Sequence, residues 1–307
     1  MHTRVLIIGS GPAGYTAGIY TARAGLETVL MTGHMAGGQL MLTHEVENYP
    51  GFTRISGIDL MASFQKQAES VGVQLKYEMV RSVDFSKRPF RIETEMDQVW
   101  TADAVIVATG SSAKWLEATG EEKFRGHGVS ICATCDGFFY RGKSVAVIGG
   151  GSAAAYEALY LTQIADKVTL IHRRDELRAE KHLQNQLLVH PKISIKWDSE
   201  VAEFMGEQQL NALKLKNTKT GDTSILPVDG AFVAIGNRPN TEIFKGQLEL
   251  SKDGYIITKK STCETSVEGV FACGDVQEDT YRQAIIAAGT GCIAALSAEK
   301  FLIEQKK

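Results

Sequence analysis

Cys132 and Cys135 stand three positions apart in Cys132-Ala133-Thr134-Cys135, and an acid, Asp136, follows at once. Such a pair can close a small disulfide ring or open to a dithiol, and an adjacent carboxyl can return a proton to a departing thiolate. Asp136 with Gly137 is also a turn signal, so a turn-forming acid is the alternative. A zinc shell would need further ligands, and the chain has no second Cys-x-x-Cys to supply them, so no metal is expected. A cationic cluster, His172-Arg173-Arg174 with Arg178 one helical turn on, suits a phosphate; a solvated basic patch is the plainer reading. Two glycine-rich runs, Gly9-Ser10-Gly11-Pro12-Ala13-Gly14 and Gly149-Gly150-Gly151-Ser152-Ala153-Ala154, match the dinucleotide fingerprint. A sulfur pair between two such runs reads as an electron path from reduced nicotinamide through flavin and disulfide to an external partner.

These residues need elements to hold them. Residues 4–34 read as a βαβ unit: strand Val5–Ile8, helix Tyr15–Ala24 stopped by Gly25, and strand Thr28–Met31. Gly9 makes the tight turn, Gly11 lets backbone approach a pyrophosphate, and Gly14 lets helix and strand pack closely. The phosphate then sits on the free N–H groups of the helix start. The acid expected at the second strand's tip, for ribose hydroxyls, is missing: Thr32-Gly33 stands there. The Met35-Ala36-Gly37-Gly38-Gln39 loop is the nearest substitute, or else a plain flexible turn. Gly57–Gly72 reads as an amphipathic helix, with strands about Leu75–Val83, Phe90–Thr94 and Ala104–Val107, the last ending in Ala108-Thr109-Gly110.

Residues 143–175 repeat the opening: strand Ser144–Ile148, the second fingerprint, a helix to about Ala165, and strand Lys167–Ile171. The arginines follow at the ribose-reading position, 24 residues after Gly149, where cations favour the 2′-phosphate of NADP. Phe232–Gly236 and Gly269–Asp275 echo the 104–110 strand, as expected of an internally duplicated domain. Asp275, before an apolar helix from about Tyr281 to Leu302, is placed to take a cofactor hydroxyl or to cap that helix.

The bulk numbers exclude several classes. At 307 residues the chain has room for two domains, and 44% hydrophobic with 22% charged residues is globular composition. A net charge of −3 lacks the basic excess of a nucleic-acid binder. No run of about 18 apolar residues is read, and the first apolar run ends in a glycine loop, so no membrane span and a cytoplasmic protein are expected. Cys263, Cys273 and Cys292 lie among apolar or small residues and read as buried small hydrophobes.

With these pieces in order, the chain resembles the bacterial-type, low-molecular-weight thioredoxin reductase family over essentially its whole length. The resemblance rests on Gly9–Gly14, Gly37-Gly38-Gln39, Glu47-Asn48, Cys132–Asp136, His172-Arg173-Arg174-Asp175 with Arg178, and Gly274-Asp275 followed by Tyr281-Arg282-Gln283-Ala284. It implies an α/β fold of two dinucleotide-binding, Rossmann-like three-layer domains, the NADPH domain (113–242) inserted into an FAD domain (1–112 and 243–307). FAD contacts are implied for Gly9, Ser10, Gly11, Pro12, Ala13, Gly14, Thr32, Gly33, Gly37, Gly38, Gln39, Asn48, Val80, Ala108, Thr109, Gly110, Gly274, Asp275, Arg282, Gln283 and Ala284. NADPH contacts are implied for Gly149, Gly151, Ser152, Ala153, Ala154, His172, Arg173, Arg174, Arg178, Ile235 and Gly236.

The resemblance also implies Cys132 as outward nucleophile, Cys135 facing the flavin, Asp136 as acid–base, thioredoxin as protein substrate, a homodimer, and a rotation of one domain between half-reactions. The chain departs from the family at Ser152-Ala153-Ala154-Ala155-Tyr156-Glu157, where Asn or Asp with Thr or Ser and a Glu pair are usual. Phe138 and Phe139 match the family's aromatic pair, and His127 replaces a basic residue. The rival readings are a flavin dithiol oxidase with weakened NADPH use, a flavin reductase acting on a carrier protein, and a redox-sensing flavoprotein.

Overall fold

A computed structural model describes residues 1–43, 45–259 and 261–305. The chain folds into two compact units, 1–112 with 238–307 (unit 1) and 113–237 (unit 2).

In chain order, unit 1 opens with β1 (His2–Ile8), α1 (Pro12–Arg23), β2 (Thr28–Met31), α2 (Gly57–Ser70), β3 (Gln74–Lys76), β4 (Val80–Asp84), β5 (Phe90–Thr94) and β6 (Val99–Val107). The crossing strand β7 (Ser111–Ala113) leads into unit 2. This holds α3 (Glu121–Phe124), β8 (Val129–Ser130), α4 (Ala133–Asp136), β9 (Ser144–Ile148), α5 (Ser152–Leu161), β10 (Lys167–Ile171), α6 (Lys181–Val189) and β11 (Ile193–Lys196). Then come β12 (Ser199–Gly206), β13 (Leu210–Asn217), β14 (Thr223–Pro227), β15 (Gly230–Val233) and the returning strand β16 (Asn237–Pro239). Unit 1 is completed by β17 (Val270–Ala272) and α7 (Ala284–Glu304).

Unit 1 is built on the sheet β3-β2-β1-β6-β5-β4, with β17 also paired to β6. β3, β2, β1, β6 and β17 pair in parallel, β5 lies antiparallel to β6, and β4 lies antiparallel to β5. The parallel strands read as unbroken apolar runs because both faces are covered. Val5, Ile7, Ala104 and Ile106 join the core under α1 and α7, while Leu6, Ile8, Val105 and Val107 join a second core with Phe85, Phe90 and Phe244. Unit 2 repeats the plan with the parallel sheet β11-β10-β9-β15-β8. Val145 and Val147 pack toward α5 and α6; Ala146 and Ile148 pack toward the antiparallel sheet β12-β13-β14. Each unit is thus a Rossmann-like layered α/β unit.

Three expectations are corrected. The inserted unit ends at Asn237 rather than residue 242, because the chain is already tied into unit 1 at Asn240 and Phe244. Asn240 donates its backbone N–H to Gly110 O at 3.0 Å, and Phe244 is fully buried, its ring parallel to Phe85. The single strand expected over Leu75–Val83 is two short strands, since the chain leaves the sheet at 77–79. Finally, α7 is by length and apolarity able to cross a membrane, against the expectation that no segment is. Its apolar residues are chiefly Ala, Ile and Leu, and Ala287, Ala288, Gly291, Ala294, Ala295, Ala298, Phe301 and Leu302 are buried in unit 1. A Cβ on Gly291 would fall 2.2 Å from Ala13 O, so α7 and α1 touch backbone to side-chain position.

Candidate functional site

In unit 1 the first fingerprint turns between β1 and α1. Gly9 has φ +108°, and a Cβ there would lie 2.3 Å from Ala108 O; one on Gly14 would lie 1.9 Å from Gly9 O. A Cβ on Gly11 meets nothing within 4 Å, so that backbone is open to a ligand. Pro12 starts the helix, where its missing N–H removes nothing the helix needs. Ser10 Oγ donates to Thr32 O at 2.9 Å and accepts the Gly37 N–H at 3.1 Å, drawing the 33–39 loop onto the fingerprint. Gly38 comes so near that its Cβ would lie 3.4 Å from the Gly11 Cα. Thr32 itself is buried and donates to Gly33 O, while Gln39 Nε2 donates to Ser111 O.

From the far end of the chain, Gly274 donates its N–H to Thr290 Oγ1 at 2.9 Å and approaches Ala13. Burial pushes the Asp275 carboxyl up to about 6, against the pull of Arg282. Arg282 donates to Tyr255 Oη at 3.0 Å, and Asn48 Nδ2 donates to Gln283 Oε1 at 3.2 Å just before Ala284 opens α7. Thr109 Oγ1 donates to Asn240 O at 2.8 Å, beside Gly110. Thus the first fingerprint, the 32–39 loop, residues 108–110 and residues 274–284 belong to one unit. Val80 differs: its side chain is buried in the core of unit 1 with Val83 and Phe90, leaving only its backbone for a ligand. Ser111 Oγ and Arg282 Nε are buried without hydrogen-bond partners among the described residues, and the open Gly11 backbone faces a helix start. These features fit a bound dinucleotide. Tyr255 and Thr290 carry no local sequence signal; only their hydrogen bonds reveal them.

In unit 2 the second fingerprint is equally tight. A Cβ on Gly149 would lie 2.4 Å from Ala234 O, and one on Gly150 2.1 Å from His172 Cε1, while Gly151 is open. Ala153 is exposed and Ala154 buried against Gly149. Ile235 and Gly236 follow β15 directly, and Gly236, at φ +100°, accepts the Lys114 N–H on its carbonyl. The basic loop is bound back onto the fingerprint: Arg178 N–H donates to Gly150 O at 2.7 Å, and Glu180 N–H to Ser152 Oγ at 3.2 Å.

His172 is a wedge rather than a surface cation. It is buried, edge-on to Trp197, and its Nε2 has no hydrogen-bond partner among the described residues. Burial, then the nearby Arg178, Arg174 and Arg173, hold its imidazole below the usual range and so neutral at pH 7. Arg173, Arg174 and Arg178 are all exposed. Asp175, one residue on, is paired with Lys219 at 2.8 Å, so it does not cancel the arginines. A neutral wedge carrying three exposed cations beside a glycine loop fits a phosphorylated nucleotide.

The sulfur pair lies in the same unit. Cys132 and Cys135 form a disulfide across the one-turn helix α4, with Cα atoms 5.3 Å apart. Ser130 Oγ, itself buried, accepts the Cys132 N–H at 3.1 Å, and Thr134 Oγ1 lies 3.4 Å from Cys132 Sγ. Cys135 is exposed and Cys132 half-buried, so exposure in this structure does not single out Cys132 as the outward sulfur the resemblance implies. Asp136 N–H caps onto Cys132 O at 3.1 Å, and the Asp136 carboxylate is near enough to Tyr140 to assist burial in raising that phenol to about 12. Phe138 and Phe139 follow with exposed rings, an edge-on pair 6.3 Å apart, with Arg141 over Phe138. The remaining cysteines behave as small hydrophobes: Cys263 and Cys273 are buried and Cys292 is half-buried, all three reduced.

The whole of this arrangement has known counterparts. The family model "Pyridine nucleotide-disulphide oxidoreductase" matches residues 3–291. The thioredoxin reductase of Rickettsia conorii is 53% identical over 304 residues, covering 98% of both chains. That of Vibrio cholerae is 49% identical over 315 residues, covering 100% of this chain and 98% of its own. The solved structure of thioredoxin reductase from Giardia duodenalis superposes with a TM-score of 0.95 at 44% identity, covering 98% of this chain and 99% of that one. With both fingerprints, the basic loop and the Cys132–Cys135 disulfide in place, the chain belongs to the pyridine nucleotide-disulphide oxidoreductases and, within them, to the bacterial-type thioredoxin reductase family.

Proposed function

We propose that the protein is an NADPH-dependent thioredoxin-disulfide reductase that holds FAD in unit 1 and NADPH in unit 2. The observation that carries this is the Cys132–Cys135 disulfide, built into the unit that also presents Arg173, Arg174 and Arg178 beside a glycine loop. A bound flavin supplies the two-electron relay between nicotinamide and disulfide. The chain's own residues do the rest. Gly11 and the start of α1 receive one pyrophosphate, Gly151 and the start of α5 the other, and the three arginines select the 2′-phosphate.

Once Cys132 and Cys135 are a dithiol, the Cys132 thiolate attacks the substrate disulfide and forms a mixed disulfide, releasing one substrate thiolate. Cys135 then attacks Cys132 Sγ, releasing the second substrate thiol and restoring the ring. Asp136 holds the proton that the departing sulfur takes up. Exposed Phe138 and Phe139 give the partner an apolar landing beside the sulfurs. The same reading includes a homodimer, a cytoplasmic setting, and a domain rotation that alternates nicotinamide and dithiol at the flavin. The rival dithiol oxidase is favoured by exposed Tyr156 on the fingerprint helix, yet it has no use for three exposed arginines.

The test is direct. The yellow protein is mixed anaerobically with NADPH and separately with NADH. Rapid bleaching by NADPH alone, with colour restored by oxidised thioredoxin, is expected. Bleaching by neither, with oxygen consumed in the presence of a dithiol, would establish the oxidase instead.

A further inference from the structure

The first fingerprint lacks one of its parts. A ribose-binding acid is expected at the tip of β2, and Thr32-Gly33 occupies that place. The loop that follows, His34 to Gln39, carries no carboxylate either. The fold brings one in from a distant stretch. Thr32 N–H donates to Lys76 O at 2.9 Å and Gly33 N–H to Glu78 O at 3.1 Å, so the segment leaving β3 runs beside the β2 tip. This is where the chain departs from the sheet between β3 and β4. Glu78 thereby stands next to the vacant position in the motif, although it lies 45 positions after Gly33 in the sequence.

Its side chain has an unmet need. Glu78 Oε2 is buried and has no hydrogen-bond partner among the described residues. A buried acceptor without a donor is destabilising, and natural folds keep few of them except where a ligand completes the bond. The other acid nearby, Glu95, is already engaged by His34 Nε2 at 3.0 Å. A ribose diol offers two O–H donors, the complement of a carboxylate that can only accept.

We propose that Glu78 is the acid that accepts the adenosine ribose hydroxyls of the dinucleotide bound in unit 1, replacing the acid missing from the end of β2. This rests on the flavin reading above and names a ligand-binding residue for it.

The experiment uses protein stripped of flavin and titrated, by quenching of flavin fluorescence, with FAD and with an FAD analogue lacking both adenosine ribose hydroxyls. The parent should prefer FAD by about ten-fold or more, the scale of a hydrogen bond to a charged group. Glu78→Ala should bind FAD about ten-fold less tightly and the analogue as the parent does, so that the preference collapses toward one. Glu78→Gln, which keeps an acceptor oxygen, should recover part of it. The flavin-free Glu78→Gln protein should melt no lower than the parent, since the amide keeps the shape of this half-buried side chain. A Glu78→Ala protein that retains the parent's preference, whatever its overall affinity, overturns the assignment. A parent that binds neither compound overturns the flavin reading itself.

Discussion

Replacing Ser152 by Ala isolates the link between the fingerprint and the basic loop of unit 2. Ser152 Oγ accepts the Glu180 N–H at 3.2 Å, while the companion tie, Arg178 N–H to Gly150 O at 2.7 Å, is all backbone and survives the change. A neutral hydrogen bond contributes about 0.5–1.5 kcal/mol. Glu180 is exposed, so water can take over its N–H, and the lower half of that range, about 0.5–1 kcal/mol, applies. At about 1.4 kcal/mol per decade this is a roughly two- to five-fold loss of affinity. It should fall on ligands that use Arg173, Arg174 and Arg178, and spare those that use the glycine loop alone. Calorimetric titration of parent and S152A with 2′,5′-ADP and with 5′-ADP separates the two. The first should weaken two- to five-fold and the second hold. Equal weakening of both, or of neither, refutes the idea that Ser152 acts by holding the basic loop.

Other outcomes follow from the same geometry. Serine at both Cys132 and Cys135 should abolish reduction of a protein disulfide while leaving flavin content unchanged, read from the visible spectrum against protein concentration. Gly150→Ala would put a methyl 2.1 Å from the His172 ring, which Trp197 backs; nicotinamide nucleotide binding should fall while flavin content stays constant. Asp275→Asn tests the buried carboxyl through flavin-free protein. Folding raises its pKa from 3.8 to about 6, so the stability associated with the neutral form is present below about pH 4 and lost as pH rises through 6. Urea unfolding should find the asparagine variant more stable than the parent by about 3 kcal/mol above pH 6.5, the gap closing below pH 4. Equal stability at pH 7.5 would contradict the burial of that carboxyl.

The parts legible in sequence are those governed by short-range rules. Strands Phe90–Thr94, Ser144–Ile148 and Lys167–Ile171 lie where their apolar runs place them. The glycine positions were readable because the close approaches at Gly9, Gly14 and Gly149 admit no side chain. Ends of elements were harder. The final helix starts at Ala284 rather than near Tyr281, because Gln283 is extended at φ −127°. Residues 199–227, without a sharp alternation, form an antiparallel sheet that the sequence pattern does not announce. Least visible were bonds between distant stretches. Nothing local to His172 says that it lies under Gly150, and nothing near Thr32 points to Glu78.

The packing of α7 on α1 has a consequence for biosynthesis. Unit 2 is one uninterrupted stretch, so a nascent chain can complete it as soon as residue 237 clears the ribosome. Unit 1 must wait: β17 and the Gly291–Ala13 contact come from stretches translated after unit 2, so the apolar back of α1 stays bare until then. Translation stalled before Ala284 therefore leaves a finished unit 2 joined to a half-built unit 1 with apolar surface uncovered. Maturation is ordered by the reading direction of the message.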